Sequence, residues 1–451
     1  MKVRRLRFID NISGLQIFQL LKFTVFLIVS IVFTKSHLTR AEIGSWEMFL
    51  FISGLITFFW VTGIIQSLLP LYHRNKTFRR FGETKKRKSP EIFNAFLLIC
   101  FFSLLFFALG HSIKNSVSVF RFSGNVPYIN LLLLYIMLSS PVCLIEYIYL
   151  LNNRAYRILQ YALYTFSAQL ALIILPVLLG KDIIWSIYGL LAITFVRWVW
   201  LIILLRRYTE IRVSWEFMKE DLYLGMPLII TTLISGSAQY VDGIIVSSVY
   251  QDPAIFAWFR YGAKEFPLVL LLANGLSNAM LPEFSTRSMM KESLAKIKLK
   301  SKKLMHLLFP MIMVIMLFAR WFYPRLFNPE FHKSAGIFMV YSLLIIPRLV
   351  FPQTIVVGRK KTNVTLIAAL IEIAINVPLS LLMIKWGYGI VGVALSTFIV
   401  YCIGKMILVG YVWVKMKIKP TEYIPLKIFT IYSILLTIIF ILVDKGIINI
   451  R

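Results

Sequence analysis

Apolar residues fill almost the whole chain in runs of about 20, the length of a membrane-spanning helix, with short basic segments between them. The pattern predicts helices near 14–34, 44–72, 92–111, 127–151, 158–180 and 184–206, then near 221–250, 253–281, 303–321, 334–357, 362–385 and 389–414. A thirteenth apolar segment covers 423–443. The opening MKVRRLRFID leads into a run as long as a full span, with no small-residue cleavage site, so it reads as an uncleaved first helix.

The polar segments test this map. With the N-terminus inside and sides alternating, inner segments hold 32 of the 49 Lys and Arg, and outer segments hold 10. Basic residues orient spans in this way, so the bias supports both the spans and a cytoplasmic N-terminus. Outer segments are too short for a soluble domain, which argues against an enzyme working on the outer face.

Two stretches repeat. GIIQSLLP (63–70) and GLSNAMLP (275–282) end the second and eighth predicted helices, 212 residues apart, and each leads into a strongly basic stretch. At the same offset Ile43 meets Ile255, Trp46 meets Trp258 and Gln66 meets Asn278. Later the offset becomes 203, where IYGLLAITF (187–195) meets IVGVALSTF (390–398). The expected architecture is therefore an all-α polytopic membrane protein of two parallel six-helix repeats, at 1–210 and 211–418, with an extra hydrophobic helix in 419–451. Halves of this kind are common in transporters.

Composition agrees. Hydrophobic residues make up 59% of the chain and charged residues 15%, with a mean hydropathy of +0.78. The net charge of +29 does not indicate nucleic acid, because the bases lie in short loops between spans. The three cysteines fall inside apolar runs and the five histidines are scattered, so no disulfide, metal or other cofactor is expected.

Charges within spans are costly and mark function by default. They are Lys22, Glu146, Arg197, Asp242, Arg260, Lys264, Glu265, Arg348, Glu372 and Lys405. Arg197, flanked by Trp198 and Trp200, is expected to snorkel to the inner interface. On one uninterrupted eighth helix, Arg260, Lys264, Pro267, Leu271, Asn274 and Asn278 would fall within about 40° of a common line. Asp242 on the seventh helix either pairs with Arg260 or serves a gating or ion-linked role. Repeat logic places the first, second, seventh and eighth helices around one cavity. The candidate substrate-binding residues are Lys22, Gln66, Asp242, Arg260, Lys264, Asn274 and Asn278. Asp242, Glu146 and Glu372 are the candidates for ion coupling.

The repeated halves, the basic stretch after each second helix, LTRAEIGSWEMFLF (38–51) and FAWFRYGAKEFPLVLLLANGLSNAMLPEFS (256–285) resemble the polysaccharide-type, O-antigen flippases of the multidrug/oligosaccharidyl-lipid/polysaccharide export superfamily. The resemblance implies a V-shaped transporter with a cationic central cavity, working by alternating access. It implies movement of a polyprenyl-diphosphate-linked oligosaccharide from the cytoplasmic to the outer leaflet of the cell membrane. The partners expected are this substrate, membrane lipids and other polysaccharide-assembly proteins, for a chain acting as a monomer. The rival readings are a cation-coupled antiporter of small solutes or drugs and, in another class, a membrane glycosyltransferase or polysaccharide polymerase.

Overall fold

The computed structural model describes residues 11–80, 89–113, 126–281, 283–285, 290–359 and 361–448. Each of the thirteen predicted segments is a helix or a broken helix. The first set is α1 (Asn11–Thr34), α2 (Arg40–Arg80), α3 (Pro90–Ile113), α4 (Ile129–Val142) with α5 (Leu144–Leu151), α6 (Ala155–Leu178) and α7 (Ile183–Tyr208). The second set is α8 (Trp215–Tyr250), α9 (Pro253–Gly262) with α10 (Pro267–Met280), and α11 (Met290–Leu326). It continues with α12 (His332–Ser342), α13 (Ile345–Arg348) and α14 (Pro352–Gly358), then α15 (Thr362–Met383) and α16 (Gly389–Val414). A short α17 (Pro420–Tyr423) precedes α18 (Leu426–Asp444).

Local chemistry sets several boundaries. At the start of α2, the Glu42 carboxylate accepts from the Thr39 amide at 2.8 Å and the Thr39 hydroxyl at 2.7 Å, a capping box. At the start of α9, Asp252 accepts from the Ala254 amide at 2.8 Å and Pro253 occupies the first turn. Between α15 and α16, Gly387 and Gly389 take φ of 90° and 57°, a turn that a side chain would strain.

Among the described residues nine segments are long and apolar enough to cross a membrane, or ten if the bent pair Pro329–Arg348 and Pro352–Gly358 counts as one span. One of the nine, Thr362–Val414, contains both α15 and α16. The chain is a multi-pass membrane protein.

The chain divides into two compact units, Met1–Leu233 and Ile234–Arg451. The repeat-based division at 210/211 lies earlier. The reason is local bonding: Asn94 accepts from the Ser214 amide at 2.9 Å and donates to the Arg212 carbonyl at 2.9 Å, and Ser67 donates to Asp221. These bonds tie the start of α8 to α2 and α3. The segment 419–451 belongs to the second unit, where Tyr432 on α18 bonds His306 at 2.8 Å and stacks on Phe309 of α11. The basic stretches 73–88 and 287–303 are not simply loops: α2 runs on to Arg80 and α11 starts at Met290.

Candidate functional site

The second unit contains a cavity of about 500 Å³. It opens where the eighth predicted span fails to be one helix. Proline has no amide hydrogen, and its ring disfavours helical geometry in the residue before it. Pro267 therefore starts a new helix, and 263–266 form a non-helical break between α9 and α10. This corrects the single polar stripe expected on 253–281, because a constant turn per residue does not hold across the break. Arg260 lies in the last turn of α9 and lines the cavity, while Asn274 and Asn278 are exposed on α10 and do not line it. Lys264 lies in the break, its ammonium 4.7 Å from the Tyr261 ring centre, a cation–π contact.

Asp242 is the buried acid of this cavity, 4% exposed. It forms no ion pair with Arg260, which corrects the simpler expectation. The Thr397 hydroxyl lies 2.6 Å from both of its oxygens, Asn376 donates to it at 3.1 Å, and the Tyr341 hydroxyl donates to it. Ser380 in turn donates to the Asn376 carbonyl at 2.9 Å and orients that amide. Taking a carboxylate out of water costs several kcal/mol. Three hydrogen bonds to a charged acceptor, about 1.5–3 kcal/mol each, offset that cost. The acid is thus held by hydroxyls and an amide from α12, α15 and α16, all of which can also turn oxygen lone pairs toward a cation.

A second cluster lines the same cavity. Arg348, at the end of α13, grips Glu265 in the α9–α10 break with Nη2–Oε1 at 2.7 Å and Nε–Oε2 at 3.0 Å. It also donates to the Tyr401 hydroxyl and sits 4.6 Å from that ring's centre. Lys405 lies 5.8 Å from the same ring, and Glu372 is within electrostatic reach of Lys405 and Arg348. The Glu372 side chain fills the space beside Gly404, where an added Cβ would come 1.7 Å from its Oε1.

The first unit holds its charges differently. Arg197 does not snorkel: its Nη2 donates to Gln169 at 2.6 Å, and its guanidinium lies 5.4 Å from the centre of the Phe166 ring. Glu146, buried on α5, lies within electrostatic reach of Lys22 and Arg197. Lys22 and Gln66 are exposed on α1 and α2.

Of the sequence candidates, Asp242, Arg260 and Glu372 therefore meet at one cavity, with Lys264 in the break beside it. Glu146 and Lys22 belong to the first unit. Sequence reasoning missed Tyr341, Asn376, Thr397 and Tyr401. One signal was available: Asn376 and Ser380 form a polar pair at helical spacing, one turn beyond Glu372 on a mainly apolar helix.

Comparison with known proteins places this architecture. The polysaccharide biosynthesis protein family matches residues 38–336, about two thirds of the chain. No curated protein matches the chain by sequence. Among solved structures it resembles the lipid II flippase MurJ in an inward closed conformation, at 17% identity over 96% of this chain and 94% of that one, with a TM-score of 0.67. It resembles an inward-facing multidrug resistance MATE family transporter of the MOP superfamily at 14% identity, over 87% and 93% of the two chains, with a TM-score of 0.62. A MOP superfamily transporter from Pyrococcus furiosus matches at 15% identity over 90% and 96%, with a TM-score of 0.55. These proteins are transporters and a flippase, not enzymes. The helical repeats, the intramembrane charges and the family match agree, and the chain belongs to the polysaccharide biosynthesis protein family, on the fold of the MOP superfamily of membrane transporters.

Proposed function

We propose that the chain is a flippase for a polyprenyl-diphosphate-linked oligosaccharide, moving it from the cytoplasmic to the outer leaflet of the cytoplasmic membrane by alternating access. The observation that carries this reading is the conjunction of a polysaccharide-biosynthesis family with a transporter fold. A transporter serving saccharide assembly needs a saccharide cargo, and a lipid-linked one matches a protein embedded in lipid. The headgroup is too polar to cross unaided, while the tail can stay in the bilayer. Arg260 and Lys264 suit the diphosphate: Arg offers a bidentate fork and Lys a point charge. Lys22, Gln66, Asn274 and Asn278 are the further candidates for headgroup contact.

The orientation follows the basic residues, with the N-terminus and the stretches 73–91 and 285–302 cytoplasmic. An impermeant thiol reagent outside intact cells should leave cysteines placed in either stretch unmodified. Cells depleted of the protein should accumulate the lipid-linked oligosaccharide in the inner leaflet, out of reach of a glycosidase added outside. Normal outward delivery after depletion would refute the flippase.

A second reading, a cation-coupled antiporter of small solutes, draws on the Asp242 cluster. One carboxylate with hydroxyl and amide oxygens suits a proton or a monovalent cation. Among the described residues no group of three or more acidic, His or Cys side chains could hold a metal ion. The same cluster can also couple an ion to flipping. Transport of small cations by purified protein, without flipping of the lipid-linked substrate, would favour the antiporter.

A further inference from the structure

The ion pair between Glu265 and Arg348 joins two helix breaks. Glu265 lies in the break between α9 and α10. Arg348 ends α13, after which its own span turns by 50° into α14. The two residues are 83 apart in sequence and belong to different spans.

The arms on each side of these breaks are also paired. On one side α9 packs on α12: a Cβ at Gly262 would come within 2.5 Å of the Ile337 Cβ and the Ser334 carbonyl, and the Ser334 hydroxyl donates to the Trp258 carbonyl at 2.8 Å. On the other side α10 packs on α14: Ser277 and Thr354 share a hydrogen bond of 2.7 Å, and a Cβ at Gly358 would lie 3.0 Å from the Leu281 carbonyl and 2.6 Å from the Phe284 Cβ. Each arm packs on its counterpart, and a bidentate contact joins the two breaks. Irregular backbone is the place where a helix can absorb a change in φ and ψ, so both spans are able to bend there.

We propose that Glu265 and Arg348 are positioning residues: their ion pair pins two helix breaks together, so that α10 and α14 swing as one body against α9 and α12. Arg260 lies in the last turn of the α9 arm and Lys264 in the break, so the bend sets where these two cations are presented. The use of the hinge in transport rests on the proposed flippase reading, but the pin itself does not.

The test is the full chain purified in detergent or nanodiscs, with native cysteines replaced and pairs of spin labels attached. Labels at exposed His332 and Ala279, or His332 and Gln353, span the breaks, while Ala279 and Gln353 report only on the α10–α14 pairing. Glu265→Gln removes the charge, and Arg348→Lys keeps the charge but loses the fork. In either variant both break-spanning distance distributions should at least double in width. The Ala279–Gln353 distribution should stay narrow, because Ser277, Thr354 and Gly358 carry that contact. Unchanged break-spanning widths would overturn the pin, and so would equal broadening of all three pairs, which reports general loosening. If Glu265→Gln does not accumulate, Arg348→Lys decides alone. No substrate is needed, so failure here is separable from failure of the flippase reading.

Discussion

The second span of the first unit and its repeat in the second unit begin alike and end alike, yet differ in the middle. In the first unit α2 is one uninterrupted helix, with Met48 and Ile52 buried. At the matching places, 212 residues on, stand Arg260 and Lys264, and Leu55 is replaced by Pro267. One proline converts a span into two helices, and the charges gather at the break it makes. The Asp242 cluster shows the same contrast. By the same offsets Asp242 matches Ser30, Asn376 matches Ile173, and only Thr397 finds its like in Thr194. The fourth span carries an acid, Glu146, in one unit and a base, Arg348, in the other. Where the two units can be matched, the second carries the proline break, the intramembrane cations and the acid with its hydroxyl and amide partners, and the first has apolar or small residues in their place.

The contrast breaks most readily at the cations. Arg260→Ala and Lys264→Ala should each lower the rate of flipping about ten- to a hundred-fold, the loss of a charge-assisted contact of about 1.5–3 kcal/mol. Membrane levels should hold, because neither residue is a core side chain. Quantitative blotting beside a flipping assay checks this, and a loss that merely tracks protein level would assign the pair a structural role.

The acid comes next. Asp242→Asn keeps the shape of the Thr397–Asn376–Tyr341 cluster and removes its charge, so ion dependence of transport should flatten while folding survives. The reverse experiment is sharper. Ser30→Asp places a carboxylate at a buried position of the first unit, where the residue matching Asn376 is the apolar Ile173, and should destabilise that unit by about 3 kcal/mol. Thermal unfolding in detergent reads the difference.

Packing gives a smaller effect. A Cβ at Gly189 would come 2.1 Å from the Leu172 carbonyl oxygen, a backbone atom that cannot step aside. At its repeat, Gly392, the nearest atoms are the Cβ of Met383 and of Tyr388 at 2.8 Å. Small residues let membrane helices approach closely. Gly189→Ala should therefore cost about 1–3 kcal/mol, more than Gly392→Ala, as seen in the unfolding midpoint. The smallest effect belongs to the matched amides. Gln66→Ala and Asn278→Ala should each slow transport only a few-fold, about 1 kcal/mol, and by similar amounts.

Much of this was legible in the residues and some was not. Spans announce themselves because a bilayer demands long apolar runs, and α16 runs from 389 to 414 as the pattern predicts. The break at 263–266 was within reach, since Pro267 stood in the predicted helix, but a uniform helical projection carried the stripe straight through it. The partners of Asp242 were not legible. Thr397 is 155 residues away and Asn376 134, and no local pattern pairs residues at such distances. Arg197 misled for a related reason: its flanking tryptophans suggested an interface, while the deciding partner, Gln169, lies on the neighbouring helix.

The most direct test of the account is flipping by the purified chain. A lipid-linked diphosphate diester carries about two negative charges, and moving one charge through 100 mV is worth about 2.3 kcal/mol. Reconstituted vesicles should move a fluorescent polyprenyl-diphosphate oligosaccharide between leaflets, faster under a potassium-diffusion potential negative on the donor side, with no pH or sodium gradient. No flipping by well-folded protein would contradict the central claim. Flipping that ignores the potential and follows only an imposed pH or sodium gradient would keep the flippase and make Asp242, Glu146 and Glu372 the sites of its coupling.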